Sequence, residues 1–134
     1  GHPEGVELGL RTLGWLFEHE ISFGKLAPTG NEGWARPGFK AEFDQQPVEA
    51  MELSMAAVRA YRITRDPIWE QRQRICLDWF HGGNALNEPI GEERRGIGYD
   101  GLSPTGISRN AGAESTISYL SVLQDAQEMR VLAM

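Results

Sequence analysis

The chain has 134 residues, 40% of them apolar, which suffices for one compact domain and falls short of two. A formal net charge of −6 and a pI near 5.0 argue against a nucleic-acid surface, because the longest Lys/Arg cluster is the pair Arg94-Arg95. One cysteine, Cys76, excludes an internal disulfide and a multi-thiolate metal site, and no apolar run reaches the length of a membrane span.

The N-terminus has no secretory signal and begins at Gly1-His2 without Met. Residues 1–134 therefore read as a single helical domain cut from a larger protein. The lone thiol is compatible with a reducing compartment, and the cytoplasm is the expected location.

Glu4 to His19 reads as the first helix, with Leu10, Leu13, Phe17 and Ile21 at helical spacing. Phe23 to Phe43 then reads as a long connection without regular structure, punctuated by Gly24, Pro28, Gly30, Gly33, Pro37 and Gly38. A loop of this length in a compact domain is usually functional or mobile. It carries Lys25, Asn31, Trp34, Arg36 and Lys40, a mixture suited to a hydroxylated ligand such as a sugar. Trp34 serves equally as an anchor of the loop to the core.

Asp44 to Ala50 opens the second helix, with Pro47 in its first turn, where a missing N–H costs nothing. The body, Val48 to Ile63, is apolar nearly all round, which predicts burial on all sides. Asp66-Pro67 supplies an N-cap and a first helical residue for the third helix. There Ile68, Arg72, Ile75, Cys76, Trp79 and Phe80 form the inward stripe, while Gln73 faces away. So short a link predicts an antiparallel hairpin.

Gly82 to Ala111 is a second Gly-rich loop, with Glu88-Pro89-Ile90 and Gly91 to Gly96 expected at the surface. The last helix runs from about Gly112 to about Met129. The fold class is all-α: antiparallel α-hairpins resembling a sector of an (α/α)6 toroid, with two long loops at one end. No βαβ signature appears.

Two helix-entry blocks carry a family resemblance. They are Gly33-Trp34 with Gly38 to Ala50, and Tyr99 to Leu102 with Gly106-Ile107, Asn110 and Gly112 to Thr116. Together they resemble the C-terminal helical region of bacterial proteins linked to group 1 glycosyltransferases, which is similar to six-hairpin glycosidase-like toroids. Ser108 and Ala111 depart from the residues usual in that pattern. The resemblance spans about Ser22 to Leu123 and implies a carbohydrate context, with a parent glycosyltransferase domain as partner. It supplies no reaction. No Gly-rich nucleotide-binding unit is present, so the piece alone is not expected to transfer sugar.

Four carboxylates, Asp44, Glu49, Asp100 and Glu114, are placed by this reading at the loop end. A pair drawn from them has the chemistry of glycoside hydrolysis. The same residues, with Asn110, also read as helix caps and first-turn acids. The ligand-binding candidates are Trp34, Arg36, Gln45, Gln46, Tyr99, Asn110, Ser115 and Thr116. No spacing suggests a metal, and no cofactor is called for.

The leading expectation is a carbohydrate-associated helical module that binds a sugar or glycan at the loop end. The alternatives are a share in a glycosidase- or epimerase-like catalytic domain, or a purely structural docking or dimerisation domain. Apolar inner faces left open by excision would favour homo-oligomers. The geometric expectation beneath all this is that the turns at Asp44 and Asn110 open onto one cavity.

Overall fold

The computed structural model describes residues 2–134. Four helices dominate: α1 (Pro3–Glu20), α2 (Pro47–Thr64), α3 (Ile68–Phe80) and α4 (Ala113–Ala133). The connection after α1 folds into a hairpin of β1 (Ile21–Ser22) and β2 (Lys25–Leu26). The connection before α4 holds two more, β3 (Gly91–Glu92) with β4 (Ile97–Gly98) and β5 (Leu102–Ser103) with β6 (Gly106–Ile107). The chain is thus mostly helical rather than purely so, and the first long connection is not structureless.

Pro47 sits at the start of α2, where its fixed φ suits the first turn. Asp66 starts α3 through its side chain: Oδ1 accepts the Ile68 N–H at 3.0 Å. Arg65, in left-handed conformation at φ 57°, ends α2 and turns the chain sharply. The hairpin that follows is antiparallel, for Gln73 Nε2 on α3 donates to Ser54 Oγ on α2 at 3.3 Å. Gln73 therefore faces inward, not outward. It also reaches the Val122 carbonyl of α4, so one buried amide ties three helices together.

Helices α2 and α4 run parallel. Ser54 Oγ donates to Asp125 Oδ2 at 2.7 Å near the middle, and Arg65 Nη1 donates to the Leu132 carbonyl at 2.9 Å near the far end. The core lies among α2, α3 and α4, built on Ala57, Cys76, Trp79, Phe80, Tyr119 and Val122, with Phe17 of α1 joining it. Burial pushes the Cys76 thiol pKa up, so the thiol is an inert core group. Contrary to the all-round burial expected of α2, its Arg59, Arg62 and Ile63 are exposed. The apolar run there reflects a broad face with an exposed edge. Most of the N-terminal half of α1 is also exposed.

Both long connections meet at one end of the bundle. Gln45, at the approach to α2, and Leu102 of β5 exchange two backbone hydrogen bonds, 3.0 and 3.1 Å. Gly101 makes this approach possible: a Cβ there would lie 2.3 Å from the Gln45 carbonyl oxygen, and its φ is 139°. Ile90, expected at the surface, is fully buried beneath the second connection. Among the described residues no helix is long and apolar enough to cross a membrane.

Candidate functional site

The sequence-nominated residues fall into separate groups. Asp100 is committed to the start of α4. Its Oδ1 accepts the Gly112 N–H at 2.8 Å and the Ser115 hydroxyl at 2.7 Å, and its Oδ2 accepts the Asn110 amide. These bonds hold its carboxyl below the usual aspartate range. The N-cap residue is Gly112, so Asn110 does not cap α4; it braces the aspartate that sits at the helix end. Thr116 lies against the Gly98 backbone, and Glu114 is exposed in the first turn.

Asp44 does not cap α2 either. Gln46 occupies that position and makes no side-chain cap bond. The Asp44 carbonyl instead accepts the Asn31 N–H at 2.9 Å, which folds the first connection back on itself. Gln45 is fully buried, with Oε1 accepting from Trp79 and Nε2 donating to the Glu42 carbonyl. Tyr99 donates its hydroxyl to Glu92 and lies under the Arg109 guanidinium. Arg36 covers Phe39 at 4.9 Å, and Trp34 is exposed. Trp34 therefore does not anchor its loop to the core.

Two hollows border the first connection. The larger, about 510 Å³, lies at the loop end between the β1–β2 hairpin and the residues after α3. It is lined by His19, Ile21, Ser22, Phe23, Lys25, Leu26, Pro28, Lys40, Glu42, Gln45 and Asn84, among others. Of the nominated residues only Gln45 reaches it. The turns at Asp44 and Asn110 share an end of the bundle but do not share this cavity.

Phe23 stands at its rim. It and Gly24 form the two-residue turn of the hairpin, both with positive φ, 51° and 77°. Such turns favour Asn or Gly at these positions, and a bulky residue there is strained. The Phe23 ring is fully exposed all the same. Asn84, on the same lining, is buried and held by four hydrogen bonds: its amide donates to the carbonyls of Trp79 and Glu88, and its Oδ1 accepts from Leu86 N and Glu88 N.

The second hollow, about 260 Å³, is a groove between α1 and α2 with Leu13, Leu16, Val48, Leu53 and Ala56 on its walls. Glu20, Glu49 and Glu52 also line it. Glu20 pairs with Lys40 at 3.1 Å and accepts from Thr29. Glu49 is half-buried and its Oε2 has no hydrogen-bond partner. Burial, then the Glu20 charge, raises its pKa to about 7. Among the described residues no group of three or more His, Cys, Asp or Glu side chains is placed to hold a metal.

Sequence reasoning missed Phe23 as a rim residue, Asn84 as a scaffold, and Glu20 as the neighbour of Glu49. One signal was available for the first: Ile21-Ser22 and Lys25-Leu26 alternate about a two-residue link containing Gly. Comparison with known proteins adds no relative: no protein-family model matches the chain, and no curated protein matches it.

Proposed function

We propose that this chain is a carbohydrate-associated helical module of a glycosyltransferase-linked protein, and that it takes a sugar in the cavity at the loop end. The observation that carries the reading is Phe23, a solvent-facing aromatic in strained left-handed conformation at the rim of a 510 Å³ hollow. Strain at such a position is a pointer to function. Sugar rings present C–H faces that stack on aromatic rings and hydroxyl edges that need donors and acceptors. The lining offers both, with Phe23 and Ile21 beside Ser22, Lys25 and Glu42. Its volume lies within the usual range for small-ligand sites.

The resemblance in the two helix-entry blocks supports the carbohydrate context and the parent glycosyltransferase as partner. The parallel α2 and α4, with antiparallel α3 beside them and both long connections at one end, support a sector of an (α/α)6 toroid. In this reading the protein works in the cytoplasm, where the free thiol of Cys76 persists. A glycan array probed with the full chain tests the function. Retention of defined glycans, lost on Phe23→Ala, is expected; an array without hits removes the reading.

A second reading, a share in a glycosidase- or epimerase-like catalytic domain, is favoured by the Glu20–Glu49 groove. One carboxylate there is ion-paired and the other has its pKa raised to about 7, a division suited to acid–base work. Glu49→Gln in the whole parent protein should then abolish glycan turnover while leaving the fold intact. Unchanged turnover sinks this second reading.

A further inference from the structure

Lys25 is the unusual charge of the loop-end cavity. Its neighbour Lys40 is neutralised: the ammonium lies 3.1 Å from Glu20 Oε2 and donates to the His19 carbonyl. Lys25 has no such partner. Among the described residues no carboxylate comes within ion-pair distance of it. Its Nζ instead donates to the Asn87 side-chain oxygen and, at 3.4 Å, to the Asn84 carbonyl. Both acceptors are neutral, so the positive charge is oriented without being cancelled.

The support beneath it is rigid. Asn84 is buried and makes four hydrogen bonds of its own, which fixes the loop that holds the ammonium. The Lys25 backbone is fixed by pairing with Ser22 across the hairpin. Lys25 also lines the cavity, so a half-buried cation is held at its wall by amide oxygens that leave its charge uncancelled. The protein as a whole carries a formal charge of −6, so this is a local positive site against an acidic background. Long-range attraction does not create it; short-range geometry does.

We infer that the ligand of the loop-end cavity is an acidic sugar, one whose carboxylate or phosphate group accepts from Lys25 Nζ while its ring lies against Phe23. The inference rests on the carbohydrate reading and narrows it. A charge-assisted hydrogen bond of this kind adds roughly tenfold or more in affinity over a neutral hydroxyl. Glu42 lies on the same lining and its charge disfavours a second anionic group nearby, so one negative substituent is the expected number.

Calorimetric titration of the full chain with glucose, glucuronate and glucose 6-phosphate, at low and moderate salt, tests this. At least one acid should bind roughly tenfold tighter than glucose, and the margin should shrink as salt rises. Which acid wins distinguishes carboxylate from phosphate. Lys25→Met should erase the margin by weakening the acids far more than glucose, while Lys25→Arg should keep most of it. Glucose binding as tightly as both acids overturns the charge assignment alone. So does an unchanged margin in Lys25→Met, or an equal loss for all three sugars, which would mark Lys25 as a brace for the hairpin. Failure of all three sugars to bind overturns the carbohydrate reading and this inference with it.

Discussion

The indole nitrogen of Trp79 donates to Oε1 of Gln45 at 3.0 Å, and both side chains are fully buried. This bond links the end of α3 to the residue just before α2. The same Gln45 backbone is paired with Leu102, so one residue joins α3 and both long connections. The loop end is rigid for that reason, and the cavity wall that Gln45 helps to form is preorganised.

Gln45→Ala should lower stability by about 2 kcal/mol, since it strands a buried indole N–H as well as opening a void. Urea unfolding measures it. A loss within error would mean that the Trp79 contact has no structural weight.

Asp100→Ala should cost about 1 kcal/mol, because the start of α4 loses its acceptor. The Asp100 pKa is depressed on folding, so its contribution is present above the ordinary value of 3.8 and is lost as pH falls through the depressed value. The variant should therefore show a shallower acid limb than the parent in a series of melts across that range. Identical acid limbs would contradict the bracing of the start of α4 by Asp100.

Glu49 behaves in the opposite sense. Its folded pKa stands near 7 against 4.5 for the free group. Stability from this group is fully present below 4.5 and declines as pH rises through 7, where the unfolded chain has long since ionised. Glu49→Gln should abolish that decline and leave the protein about 1 kcal/mol more stable at pH 8, a figure reduced for the partial exposure of the site. A variant less stable than the parent at pH 8 would contradict this.

Trp15 and Leu8 on α1 are 60% and 55% exposed. With Ile63 of α2 also open, the chain should self-associate at high concentration. Light scattering should show oligomers that Trp15→Glu diminishes. A monomer at every concentration would count against an interface on α1.

Helix positions were legible because their signals are local. Pro47 and Asp66-Pro67 mark starts, and periodic apolar residues mark bodies. The inward turn of Gln73 was not legible: a polar side chain reads as exposed unless its partners Ser54 and Val122 are known to be near. The bracing of the start of α4 by Asp100 escaped for a similar reason. Asp100 lies twelve residues before Gly112 and reaches the helix only through the fold of the β5–β6 hairpin. Asn110, adjacent in sequence, was the natural but incorrect choice. The cavity joins the hairpin after α1 to residues after α3, a contact that spans 59 positions between Lys25 and Asn84. No pattern within either segment announces it.

Phe23 joins the fold to the proposed ligand. Phe23→Asn should raise stability by up to about 1 kcal/mol, since Asn tolerates the left-handed turn, and should weaken sugar binding at the same time. Backbone amide shifts of the full chain, followed by NMR during titration with an acidic sugar, read the site itself. Perturbations confined to Ser22, Phe23, Lys25 and Asn84, and lost in Phe23→Asn, are the expected result. Shifts centred instead on Trp34 and Asp100, or none at all, would contradict the placement of a sugar in this cavity.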